Sequence, residues 1–268
     1  MSCRALGIGV STYYYKPKKC NSDDIQIKDK IIKIIEKLPE SGYRPVTVLL
    51  NAEGIIINHK KTLRVMRENR LLCCKHKRFV KGTTDSKHTF LKYPNIAKDF
   101  IPKNINQLIV GDVTAYDVRG KDHYLAELMD IFNREVIGRA ISDKNDKELV
   151  LAALNDAHST RGDDLKGAIH HTDADVRYCS NEYISKLNDL EMKISMCVGN
   201  AYENAHAESF NKTVKRQEIN ISDYDSKEES AISIFRFIDL YNKYRPHSSL
   251  NNLTPVKFKE VNFSKESV

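Results

Sequence analysis

The chain has 268 residues, 41% of them hydrophobic and 29% charged, with a net charge of +7; that is room for one core of about 150 residues plus a smaller module. No apolar run approaches the roughly 18 to 20 residues that cross a bilayer. The opening MSCRALGIGV lacks the basic region, long apolar run and cleavage site of a secretory signal, so a cytosolic location is expected. The six cysteines (Cys3, Cys20, Cys73, Cys74, Cys179 and Cys197) form no C-x-x-C pair, and the nine histidines supply no H-x₃₋₅-H partner, so neither a structural zinc site nor a disulfide framework is indicated.

The charge is unevenly spread. Residues 1–100 hold 21 Lys and Arg against 9 Asp and Glu, a net +12, and the remainder carries −5. A basic arm on an acidic body fits a first part that grips phosphates and a second that does chemistry.

Residues 5–16, ALGIGVSTYYYK, read as the second half of a helix-turn-helix, with a glycine turn and Ser11 as N-cap. DDIQIKDKIIKIIEK (23–37) reads as a helix behind an acidic first turn, with Ile25, Ile32, Ile35 and nearby isoleucines as its apolar stripe. NHKKTLRVMRENRLL places Leu63, Met66 and Leu71 on one face, with Arg64, Arg67 and Arg70 around it. Residues 60–81 carry nine Lys and Arg and one acid, which points to DNA backbone contact rather than to a merely solvated helix. A linker is expected over 82–103.

The core that follows reads strand (108–117), strand (123–131), strand (134–141), helix (146–158), strand (167–172), helix (180–190), strand (192–197) and helix (203–219). Turns are expected at Gly120–Asp122 and at Asn133–Arg134. Three acids stand out in it. Asp112 lies in the β-branched run QLIVGDVTAYD, Asp173 ends the short apolar run in GAIHHTDADVRY, and Glu208 lies in the helical NAYENAHAESFNKTVKRQ. Two strand ends and a helix can bring three carboxylates to one point, where hard oxygen ligands favour Mg²⁺ or Mn²⁺. On the helix, Asn204, Glu208, Asn211, Lys212 and Lys215 share one face; the last stands about 10 Å from the glutamate by the 1.5 Å rise. His170 and His171 alternate on a strand and so point to opposite faces, which favours structural roles over metal ligation. Asp130 and Arg134, mid-strand and at a hairpin, also read as structural. SKEESAISIFRFIDLYNKY (226–244) reads as a helix whose apolar face is Ile232, Phe235, Ile238, Leu240 and Tyr241. RPHSSL follows, in which Arg245, His247 and Ser248 fit either a phosphate site or a C-terminal brace.

GDVTAYD, HYLAELMDIFNREVIGRAIS, HHTDADVRY, GNAYENAHAESFNKTVKRQ and YNKYRPHSSLNNLTPVKF, in that order, resemble the catalytic half (OrfB) of a large family of bacterial insertion-sequence transposases. The separations of 61 and 35 residues between the three acids match the family's spacing. The resemblance implies an α/β, RNase H-like (integrase/transposase) core at 104–222 with an N-terminal all-α helix-turn-helix-like module at 1–81 and a C-terminal helical extension at 223–268. It also makes a helix of GYRPVTVLLNAEG. It implies a DDE transposase that cleaves and joins insertion-sequence ends. Asp112, Asp173 and Glu208 would be catalytic and metal-binding, with two Mg²⁺ (or Mn²⁺) ions per site, and Lys215, Lys212, Asn204, Arg64, Arg67 and Arg70 would bind DNA. The implied partners are double-stranded DNA at element ends and target, an upstream-frame OrfA module and further copies of the chain; the implied setting is a bacterial cytoplasm, in association with the nucleoid. The chain departs from the family at three places: Ile109 stands for the usual Trp, Asp175 for the usual glycine, and SMCVGN (195–200) is one residue short and lacks a basic pair. The last two are what a non-catalytic or decayed DNA-binding OrfB would show; an unrelated RNase H-type nuclease is disfavoured by YNKYRPHSSL.

Overall fold

A computed structural model describes residues 22–73, 88–197 and 205–263, together with the isolated positions 3, 7, 9, 13 and 14. Apart from those isolated positions, the half-motif read at 5–16 lies outside the described residues, as does the tip of the SMCVGN loop at 198–200.

The N-terminal module holds three helices, α1 (Ser22–Lys37), α2 (Tyr43–Ala52) and α3 (His59–Glu68). Asn58 caps α3 by accepting the Lys61 N–H at 3.0 Å. Its core is Ile27, Ile31, Ile34, Val46, Leu50, Ile57, Val65 and Met66. The α1 stripe is therefore rotated from the expected one: Ile25 is 58% exposed, and Ile27, Ile31, Ile34 and Leu38 are buried. With isoleucines on several sides, α1 offers two overlapping stripes, and docking on α2 and α3 selects one.

A five-stranded sheet follows, from β1 (Leu108–Val118), β2 (Lys121–Asp130), β3 (Val136–Ser142), β4 (Ile169–Asp173) and β5 (Lys193–Cys197), in the order β3-β2-β1-β4-β5. The first three strands pair antiparallel, and β1-β4 and β4-β5 pair in parallel. Arg119 and Gly120, both at positive φ, make the first turn. The second connection is longer than a two-residue turn, spanning 131–135 with Arg134 at φ 62°. Asp130 shapes it, accepting the backbone N–H of Phe132 at 2.9 Å and of Asn106 at 2.6 Å. This is a structural use of Asp130, which ends β2 rather than lying mid-strand.

Period-2 alternation gives the sheet two covered faces. On one, Ile109, Val113, Ala126, Leu128, Ile137 and Ala140 pack against α4 (Lys147–Arg161) and α5 (Asn181–Asp189). Gly138 allows α4 to approach: a Cβ there would lie 2.3 Å from the Ala153 carbonyl oxygen. On the other, Leu108, Val110, Leu125 and Met129 pack against α6 (Ala205–Gln217) and α7 (Lys227–Tyr244). The α7 face is Ile234, Phe237, Ile238 and Tyr241, and Ile232 is 72% exposed rather than buried. Tyr116 and Ser230, hydrogen-bonded at 3.0 Å, help fix that rotation.

The chain closes with α8 (Pro255–Phe263). Arg245 donates to Gln217, and the His247 ring packs edge-on against Tyr241 at 4.9 Å. RPHSSL is thus a brace between α6, α7 and the C-terminal segment. No described helix is long and apolar enough to cross a membrane.

Candidate active site

Asp112 shares the face of Leu108 and Val110, and Asp173 that of Ile169 and His171, so both carboxylates lie on the face covered by α6. Leu108 pairs with Ile169 and Val110 with His171. Two residues further along each strand, the same register sets Asp112 level with Asp173. Burial, and then the negative charge of Asp173, push the Asp112 carboxyl up to about 7. Its Oδ1 accepts the Val113 N–H at 2.8 Å, and its Oδ2 accepts Asn211 Nδ2 at 2.9 Å. Asn211 belongs to α6, three residues after Glu208, so α6 is tied directly to the first aspartate.

Glu208 lies on the same helix with a half-buried side chain, its Oε2 ion-paired with Lys212 at 3.2 Å. Among the described residues no three His, Cys, Asp or Glu side chains are arranged to hold a metal. Asp112 and Asp173 are brought together; Glu208 would complete a ligand set only by turning from Lys212. Lys212 is otherwise exposed. Lys215, one turn beyond Asn211, is half-buried; burial lowers its pKa, and Glu127 and Asp112 are the carboxyl groups it faces. Asn204 lies outside the described residues.

Asp175 does not add a free carboxylate to the site. It is buried and ion-paired with the equally buried Arg177 through the guanidinium Nε, and it accepts the Arg177 backbone N–H at 2.9 Å. Arg177 also binds Asn145 and lies within electrostatic reach of Asp112 and Asp173. The histidines divide as alternation requires: His170 meets Tyr183 Oη at 2.8 Å, and His171 meets Ser195 Oγ at 2.9 Å. Both contacts are structural.

Two residues of the site carry no sequence-based role. The sequence sets Asn211 on the Glu208 face without a function and gives Glu127 no role. Glu127 is the direct cross-strand partner of Asp112 and is fully buried. A charged residue at an inward position of YLAELMD is the signal that could have singled it out.

In the N-terminal module, Arg64, Arg67 and Arg70 are all exposed. The Arg64 guanidinium is engaged with Asp24 at 2.8 Å and Glu68 at 2.9 Å, tying α3 to α1.

A five-stranded mixed sheet with helices on both faces, in which Asp112 midway along β1 lies level with Asp173 at the end of β4, has the fold of an RNase H-like integrase core. Models described as "Integrase core domain" match residues 102–200 and 190–255, and one described as "HTH-like domain" matches residues 22–79. An insertion element IS600 protein of 31 kDa from Shigella sonnei is 31% identical over 266 residues, covering 96% of this chain and 97% of that one. The transposase for insertion sequence element IS904 of Lactococcus lactis is 31% identical over 255 residues, covering 92% of this chain and 98% of that one. Among solved structures, the simian T-cell lymphotropic virus intasome in complex with the PP2A regulatory subunit B56 gamma is similar in fold, with a TM-score of 0.51 at 13% identity over 85% of this chain and 74% of that one. The chain belongs to the insertion-sequence transposases built on an integrase core, a family of polynucleotidyl transferases.

Proposed function

We propose that the chain cleaves and joins the DNA ends of its insertion sequence by metal-dependent phosphoryl transfer, using Asp112, Asp173 and Glu208. The observation that carries this is the level placement of Asp112 and Asp173 on neighbouring parallel strands, where burial and then the charge of Asp173 raise the Asp112 carboxyl. Two facing carboxylates of that kind fit a hard divalent cation, which relieves the repulsion. Mg²⁺ or Mn²⁺, two per site, would supply Lewis acidity and nucleophile activation at the phosphodiester. Asp112 and Asp173 would hold the ions, with Glu208 joining them on release from Lys212. Lys215 and Lys212 would then meet flanking phosphates, as would Asn204.

In this reading residues 1–81 form the DNA-binding module, 82–103 the linker, 104–222 the catalytic core and 223–268 the helical extension. Arg67 and Arg70, with Arg64 in part, face the duplex. An upstream-frame OrfA module and further copies of the chain complete the assembly on element ends, in the bacterial cytoplasm. The Asp175–Arg177 pair weighs against a decayed, non-catalytic chain, because the extra carboxylate is matched by its own cation. The test is joining of end-labelled element-terminus oligonucleotides into a target duplex. Products should form with Mg²⁺ or Mn²⁺ and vanish with a chelator; products that are indifferent to the chelator would refute the reading.

A further inference from the structure

The sheet edge next to Asp173 is covered by a segment that reads in the sequence as part of a linker. β5 is the outer strand, and residues 88–97 wrap around it. Tyr93 packs with the core on the α4 and α5 face, and Ala97 with the core on the α6 and α7 face. Ser195, fully buried in β5 opposite His171 of β4, is where the segment is fastened. Its Oγ accepts the backbone N–H of Ile96 at 3.0 Å and of Ala97 at 3.1 Å, and it lies 2.9 Å from His171 Nδ1. A second fastening is at His88, whose Nε2 stands 3.0 Å from the Ala174 carbonyl oxygen. That oxygen can only accept, so the ring donates. The other ring nitrogen of His88 is buried and has no hydrogen-bond partner among the described residues.

We propose that His88 and Ser195 are positioning residues for Asp173, and that residues 88–97 form a strap which holds the end of β4 rather than a passive tether. The two fastenings bracket the aspartate. Ser195 grips β4 through His171, two residues before Asp173 and on its face, and His88 grips the backbone immediately after it. The Ala174 N–H in turn donates to the Cys197 carbonyl at 3.1 Å, so β5 closes the same turn. The pairing of the strands shows why this side matters. The β1–β4 ladder ends at Val110 and His171, whereas β4 stays paired with β5 as far as Asp173 and Cys197. The separation of Asp173 from Asp112 therefore depends on the outer strand and on what is fastened to it. Groups that support metal ligands typically change metal affinity or activity 10- to 100-fold when removed.

The inference rests on the reading of Asp173 as a metal-binding catalytic residue, and the test separates the two. In the full chain, Mn²⁺ binding is measured by calorimetry without DNA, and strand transfer is measured with element ends. Ser195→Ala and His88→Ala should each weaken Mn²⁺ binding and lower kcat by about tenfold, with the KM for element ends within about twofold of the parent. His88→Gln, whose side-chain amide can donate to the same carbonyl, should stay within about threefold of the parent in both measurements. His88→Ala alone carries the test should Ala at 195 not fold. A strap that only stabilises the fold would lower the melting temperature and leave the Mn²⁺ affinity of the folded chain unchanged, so parent-like Mn²⁺ binding in His88→Ala would overturn the proposal. So would a loss in His88→Gln equal to that in His88→Ala, or a rise in KM at constant kcat, which would put the strap on the DNA instead. If Asp173→Asn retains strand transfer, the underlying reading falls as well; if it is inactive while His88→Ala and Ser195→Ala match the parent, only the role of the strap falls.

Discussion

Asp112 and Asp173 show how one strand register turns two distant acids into a pair. They are 61 residues apart in sequence, yet parallel pairing of β1 and β4 sets them level. The structure also buries groups that must stay neutral. Burial and the neighbouring His171 push the His170 ring down to about 3, and burial with Arg245 and Arg134 does the same for His247. The folded pKa values lie below the unfolded value near 6.5. Their contribution to stability is therefore complete above about pH 6.5 and erodes as pH falls toward 3. Each should cost roughly 2 kcal/mol between pH 7 and pH 5. Urea unfolding at those two pH values measures this, and the difference should shrink by about that amount in His170→Gln. An undiminished difference would mean that His170 is not the group responsible.

At the scale of elements, the strands were legible because alternation and hairpin residues report local structure. The helical faces were less so. On α7, Ile232 and Phe235 compete with Ile234 and Phe237 for the inward stripe, and only packing on the sheet decides between them. Glu127 was hidden for a related reason: its meaning comes from the register opposite Asp112, which no local pattern encodes. Asp175 alone reads in the sequence as an extra carboxylate near the site, and only its ion pair with Arg177, two residues on, shows it to be matched. The seating of α4 on β3 is equally tertiary. A methyl group at Gly138 would also stand 2.7 Å from Ala157 Cβ. Gly138→Ala should therefore destabilise the chain by about 1 to 3 kcal/mol, as overpacked cores do. A melting temperature equal to that of the parent would show that α4 is not held as close as described.

For the whole molecule, the division of charge between a basic amino-terminal arm and an acidic core maps onto a helical module and the sheet of the integrase core. Arg64 is partly committed to holding α3 on α1, which leaves Arg67 and Arg70 as the freer cations of that helix end. Replacing both with alanine should weaken duplex binding and lower the log–log salt slope by roughly 2, one phosphate contact each. A slope that does not change would place the DNA elsewhere.

In the proposed function Asp112, Asp173 and Glu208 act as one metal-dependent site, although Glu208 is ion-paired with Lys212 in this structure. The most direct measurement is strand transfer by Asp112→Asn, Asp173→Asn and Glu208→Gln, each purified and assayed with Mg²⁺ and with Mn²⁺ beside a DNA-binding control. Each should lose at least about a thousandfold in joining, roughly 4 kcal/mol of transition-state stabilisation, while binding element ends within a few-fold of the parent. Joining at a parent-like rate by any one of the three would contradict the account.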